Sequence, residues 1–167
     1  MSLSMHAALV PGTTHTLEAL SAVLGKAAAH CEARKIDPQA FLQARLFPDM
    51  FALTRQVQIA CDMAKGGAAR LAGVEIPKYE DTETSFAELQ TRIARTVDFM
   101  RSLPPEQFEG AETRDVVLTL PSRTVEFKGQ AYLFNFVLPN VYFHASTAYN
   151  LLRQGGVEIG KRDFLGG

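Results

Sequence analysis

The sequence predicts an all-α protein, a four-helix bundle with one small β-hairpin inserted between the third and fourth helices. Three observations carry that expectation. Four segments repeat their apolar residues at helical spacing, each long enough to serve as a bundle helix. Breakers separate them, notably Ile36-Asp37-Pro38, Gly73 and Leu103-Pro104-Pro105. Between the third and fourth segments the pattern changes, because Val116 to Leu120 and Arg123 to Phe127 are β-prone runs around Pro121-Ser122.

The first segment runs from Ser4 to Ala33, with Leu9, Thr13, Thr16, Leu20, Leu24, Ala27 and Cys31 along one face. Pro11-Gly12 falls early in it, where a missing backbone N–H implies a kink or a true start near Thr13. A short connection follows, whose Phe41, Leu42 and Phe47 are expected to cap the open end of the core. The second helix is expected from Pro48-Asp49 to Leu71, with a stripe of Leu53, Val57, Cys61, Ala64, Ala68 and Leu71 and a stop at Gly73. Small residues crowd it (Ala60, Gly66, Gly67, Ala69), which suits close approach to a neighbouring backbone.

In the third helix, Thr84 or Ser85 supplies the cap and Glu88 the first-turn acid. Phe86, Leu89, Ile93, Val97 and Met100 mark its inner face, and Arg92, Arg95 and Asp98 are expected to point elsewhere. The hairpin needs a larger body to lean on, since two strands alone are marginal in water. The last helix is expected from Gln130 to Gln154, with Leu133, Val137, Val141, Ala148 and Leu151 inward and Pro139 bending it without breaking it. The tail from Gly155 to Gly167 reads as loop.

Length and composition fit a single domain over residues 1–167. Of these residues 47% are hydrophobic and 21% charged, enough to bury a continuous core. The 17 basic residues balance 18 acidic ones and form only isolated pairs such as Arg34-Lys35 and Lys161-Arg162, so no nucleic-acid or polybasic membrane partner is expected. The start of the chain has no secretory-signal pattern, and no apolar stretch is long enough to span a bilayer. Cys31 and Cys61 sit among small apolar neighbours and read as buried free thiols, which favours a cytoplasmic setting.

The chemistry concentrates at Asn140-x-x-x-His144 in the last helix. At about 100 degrees per residue, Leu133, Val137, Ala148 and Leu151 fall within roughly 40 degrees of His144, and Asn140 lies one turn earlier on the same side. An inward imidazole needs a partner, so His144 is either a core histidine bonded to a hydroxyl or carbonyl, or a ligand-binding or catalytic group. Asp62, Gln56 and Gln58 of the second helix are the available partners; Gln56 flanks the stripe and Asp62 is rotated away. Since glutamine is a poor zinc ligand, Gln56 is easier to defend as a hydrogen-bonding partner than as a metal ligand. The candidate pocket is therefore His144, Asn140 and Gln56. His6 could face inward near the chain start, His15 is expected to be exposed and His30 lies at the stripe's border. Phosphate-loop, H-E-x-x-H, C-x-x-C and G-x-S-x-G motifs do not occur. Tyr132, Phe134, Phe136, Tyr142, Phe143 and Tyr149 read as core packing, with a pocket or dimer interface as the alternative, and Glu80, Asp81 and Glu83 read as a solvated linker.

His144, Leu152-Arg153 and Gly156 resemble the fourth helix of the DinB/YfiT-like superfamily, four-helix bundles many of which are regarded as metalloenzymes. Gln56-Val57-Gln58, Asp62, Ala64-Lys65, Ala69-Arg70-Leu71-Ala72-Gly73, Tyr149 to Arg153 and Gly160 to Gly166 resemble more closely a bacterial branch of unknown function. The resemblance implies one histidine ligand from the second helix and two, spaced four apart, from the fourth. His144 matches one of these, Asn140 stands at another, and the second-helix position falls between Gln56 and Asp62, where no histidine occurs. A degenerate site is therefore expected, with no confident metal ligand set and zinc or nickel bound weakly if at all. The resemblance also implies a metal-dependent thiol transferase. Against it, the residues themselves allow a metal-free binder of a small polar molecule, through Asn140, His144 and Gln56, or a structural bundle in which they form a closed buried network. Homodimerisation through exposed helix faces is implied as well.

Overall fold

A computed structural model describes residues 3–120 and 123–167. Four long helices form the bundle: α1 (Met5–Arg34), α3 (Leu53–Ala72), α4 (Phe86–Arg101) and α6 (Leu138–Gln154). Each of α1 and α3 packs along both α4 and α6, so the four form a closed ring around one core. All the expected apolar stripes face that core. Leu9, Leu24, Leu53, Val57, Cys61, Leu89, Met100, Val137 and Val141 are fully buried.

Local chemistry accounts for the ends of the helices. Ser4 caps α1 by accepting from the Ala7 N–H at 3.1 Å. Pro11 sits inside α1 on its exposed side without ending it, while the Thr14 hydroxyl donates to the Val10 carbonyl at 2.8 Å. Ser85 caps α4 by accepting from the Glu88 N–H at 3.2 Å, and the Glu88 carboxylate accepts from the Thr84 N–H at 2.6 Å. Gly73 closes α3 in the left-handed region at φ 71, where a side chain would be strained.

Five expectations need correction. Of the aromatics read as core packing, Phe134, Tyr142 and Phe143 stand 42%, 42% and 56% exposed, because they fall on the outer faces of the last helical stretch. The second bundle helix starts at Leu53 rather than Pro48-Asp49, because a turn closed by the Met50 N–H on the Phe47 carbonyl intervenes. Phe41 and Leu42, in the short α2 (Gln39–Leu42), do cap the core, but Phe47 stands 63% exposed. Arg92 is buried rather than outward, as described below. The tail is not all loop, because α7 (Lys161–Phe164) docks on α1. The Asp163 carboxylate accepts from the Gly160 N–H at 2.7 Å and pairs with Lys26, and the Phe164 ring packs edge-on against Tyr149.

The hairpin lies between α4 and the last bundle helix. Strands β1 (Asp115–Leu120) and β2 (Arg123–Lys128) pair antiparallel, with Asp115 opposite Lys128 and Thr119 opposite Thr124. The turn expected at Pro121-Ser122 lies outside the described residues. Val116 and Leu118 point inward and Val117 outward, and Phe127 rests on Tyr132 and Phe136. The chain then passes through α5 (Gly129–Tyr132) and a π turn (Leu133–Val137) into α6. In that turn the Leu138 N–H reaches the Leu133 carbonyl, five residues back. Pro139 follows at once, so the wider turn falls where proline interrupts the ordinary ladder. Close approach is visible here, since a Cβ on Gly67 would lie 2.6 Å from Val137 Cγ1. Among the described residues no helix is long and apolar enough to cross a membrane.

Candidate functional site

Helices α3 and α6 bring Gln56 and His144 together. Gln56 Oε1 lies 2.6 Å from His144 Nδ1, and Gln56 Nε2 donates to the Phe51 carbonyl at 3.0 Å. With its amide nitrogen committed to Phe51, Gln56 turns its carbonyl oxygen to the ring, so Nδ1 of His144 carries the proton and donates. Nε2 then holds the lone pair. It finds no partner among the described residues, and it is not one of their buried unpaired atoms, which are Thr13 Oγ1 and Arg92 Nε. That edge of an imidazole only 8% exposed therefore borders solvent. The Phe143 ring stands perpendicular to it at 5.2 Å. Burial, and secondarily the positive charge of Arg55, hold the His144 pKa below its ordinary value, so the ring is neutral at pH 7.

Asn140 serves its own helix. Its amide donates to the Phe136 carbonyl at 2.7 Å, within the π turn, and it is half-buried. The remaining histidines stay apart from His144. His6 packs edge-on against Phe108, His30 against Phe41, and the exposed His15 bonds the Leu165 carbonyl at 2.8 Å. Neither cysteine offers a ready thiolate, since burial raises the Cys31 thiol and pushes the Cys61 thiol up to about 12.

A second polar cluster was missed in the sequence. Arg92, 2% exposed, donates to Glu83 and Asp62 at 2.9 Å and to the Glu80 carbonyl at 3.0 Å, and it lies 2.9 Å from Asp81. Arg55 joins through Asp81 at 2.5 Å, and Gln58 donates to Glu83 at 2.9 Å. Burial opposes these charges, yet the bond to Glu83 and the field of Asp62 raise the Arg92 pKa, and Arg92 and Gln58 bring the Glu83 carboxyl below its usual range. The linker read as solvated is thus a clamp on α4. Spacing held the signal, because Arg92 stands three after Leu89 and four before Thr96, both fully buried.

These donors do not suit the metal that the resemblance implies. Around His144 they are one imidazole nitrogen and neutral amides, a poor set for zinc or nickel. The nearest acid on α3, Asp62, is engaged by Arg92 and Lys65. Among the described residues no group of three or more histidine, cysteine, aspartate or glutamate side chains is placed to hold a metal ion.

The comparisons agree with the fold. A family model described as "Domain of unknown function (DUF1993)" matches residues 5–165. A crystal structure of a DinB family member protein from Shewanella denitrificans is similar at 39% identity and a TM-score of 0.90, covering 98% of this chain and 92% of that one. None of the curated proteins matches.

Proposed function

The chain belongs to the DUF1993 family, within the DinB-like class, and on that premise we propose that it is a metal-independent binding protein for a small polar molecule. The ligand donates a hydrogen bond to His144 Nε2. One observation carries the reading. Gln56 holds His144 in the tautomer that turns an uncommitted lone pair outward, which a closed core histidine does not need. Burial of the rest of the ring lowers the local dielectric and so strengthens a bond made at its open edge. The unsuitable donor set argues against the thiol-transfer alternative, whose chemistry requires a metal to hold the thiolate.

Acylation of histidines by diethylpyrocarbonate, mapped by peptide mass spectrometry, tests this directly. The reagent needs a neutral, accessible nitrogen. His144 is expected to be modified in the folded protein, and protection until unfolding would leave it a structural histidine. A cytoplasmic setting, supported by the two free thiols, and a homodimer formed through exposed Phe134, Tyr142 and Phe143 complete the reading. Native mass spectrometry of protein purified without chelator should then find a metal-free dimer. A stoichiometric zinc or nickel ion, or monomer alone, would remove the corresponding part.

A further inference from the structure

A cleft of about 550 Å³ opens between the C-terminal half of α3 and the linker residues 76–80. It starts at Asp62, six residues beyond Gln56 and roughly 9 Å along the helix, and involves none of the residues at His144. Its volume lies within the range of small-molecule sites.

Its charged lining sets the cations Lys65, Arg70 and Lys78 beside the carboxylates Asp62 and Glu80. Lys65 is 4% exposed. Its Nζ stands 3.2 Å from Asp62 Oδ1 and 3.8 Å from the centre of the Tyr79 ring, which leaves one of its three N–H donors uncommitted. Asp62 Oδ1 also accepts from Arg92 at 2.9 Å, so this one oxygen is shared between two cations. Arg70 has no carboxylate partner among the described residues, and its single hydrogen bond runs from Nη1 to the Tyr132 hydroxyl at 3.1 Å. The guanidinium lies back over Gly66, where a Cβ would come within 2.8 Å of Nη1, so the absent side chain leaves room for it there, and both Arg70 and Lys65 line the cleft. At the rim, exposed Glu80 is offset by Lys78 two residues away.

We propose that this cleft binds a small oxyanion, the phosphate or carboxylate group of a metabolite, through Lys65 Nζ and the free edge of the Arg70 guanidinium. A planar fork beside a point charge suits either group, since both present two oxygens to the fork and a third contact or net charge to the ammonium.

The test is a pair of titrations followed by two-dimensional amide NMR, one with inorganic phosphate and one with acetate, at ionic strength held constant with chloride. Saturable shifts at Gly66, Arg70 and Tyr79 are expected with at least one anion. Response to phosphate alone, to acetate alone or to both identifies the group recognised. Arg70→Gln is expected to weaken binding about tenfold or more, as befits loss of a charged hydrogen-bonding pair. Gly66→Ala favours the helix while displacing Arg70, so it should weaken binding with an unfolding midpoint unchanged or raised. No saturable shift with either anion, or wild-type binding in Arg70→Gln, would overturn the proposal.

Discussion

Arg92→Met is expected to lower the unfolding free energy by about 3 kcal/mol in urea titrations, the lower end of the range for breaking a buried ion pair. The guanidinium at 2% exposure holds Glu83, Asp62, Asp81 and the Glu80 carbonyl at once, and it ties the linker to α4. Methionine fills the space of the stem but leaves Glu83, whose side chain is 11% exposed, without its main donor. Asp62 and Asp81 are more open, at 32% and 42%, and regain water, which keeps the loss at the low end. Arg92→Lys should recover little, since a point charge cannot meet these acceptors from one fork.

The loss should also depend on pH. The folded Glu83 pKa lies below the unfolded value of about 4.3. Its contribution is therefore present above that value and disappears as pH falls through the lower folded one. Wild type and Arg92→Met should accordingly converge in acid. A constant difference between them down to strong acid would remove Glu83 from the account.

The second large effect is expected at Gly67. A Cβ there would lie 2.6 Å from Val137 Cγ1 and 3.0 Å from Cγ2, and Val137 is fully buried in the π turn. A β-branched side chain packed on all sides cannot swing away, so α3 and the π turn must separate. Gly67→Ala is expected to cost about 1–3 kcal/mol from overpacking, against a gain of up to about 1 kcal/mol in helix propensity. The clash is pairwise, which makes a double-mutant cycle decisive. Val137→Ala alone opens a cavity, and in its presence Gly67→Ala should become neutral or stabilising. If the two losses simply add, the contact with Val137 is not what excludes a side chain at Gly67.

Much of this fold is written in local pattern. Leu9 to Cys31, Leu53 to Leu71, Phe86 to Met100 and Leu133 to Leu151 recur at the period of a helix, and a period is legible without knowing what lies across from it. Ser85 and Gly73 act on their own backbone, so their roles can also be read one residue at a time. Phe47 and the tail could not be read that way. Their placement depends on a turn closed by Met50 and on a docking pair between Asp163 and Lys26, 137 residues apart.

The candidate site divides along the same line. The chain alone determined that His144 lies on the inner face of the last bundle helix and that Gln56 flanks the stripe of the second. Only the tertiary structure decided that Gln56 and His144, 88 residues apart, meet at 2.6 Å, that Asn140 turns to the Phe136 carbonyl, and that Arg92 gathers the acids of the linker inward. Apolar burial is non-directional and follows from which face a residue occupies. A polar side chain is placed by the one partner at hydrogen-bonding distance, and that partner is chosen by how distant segments pack.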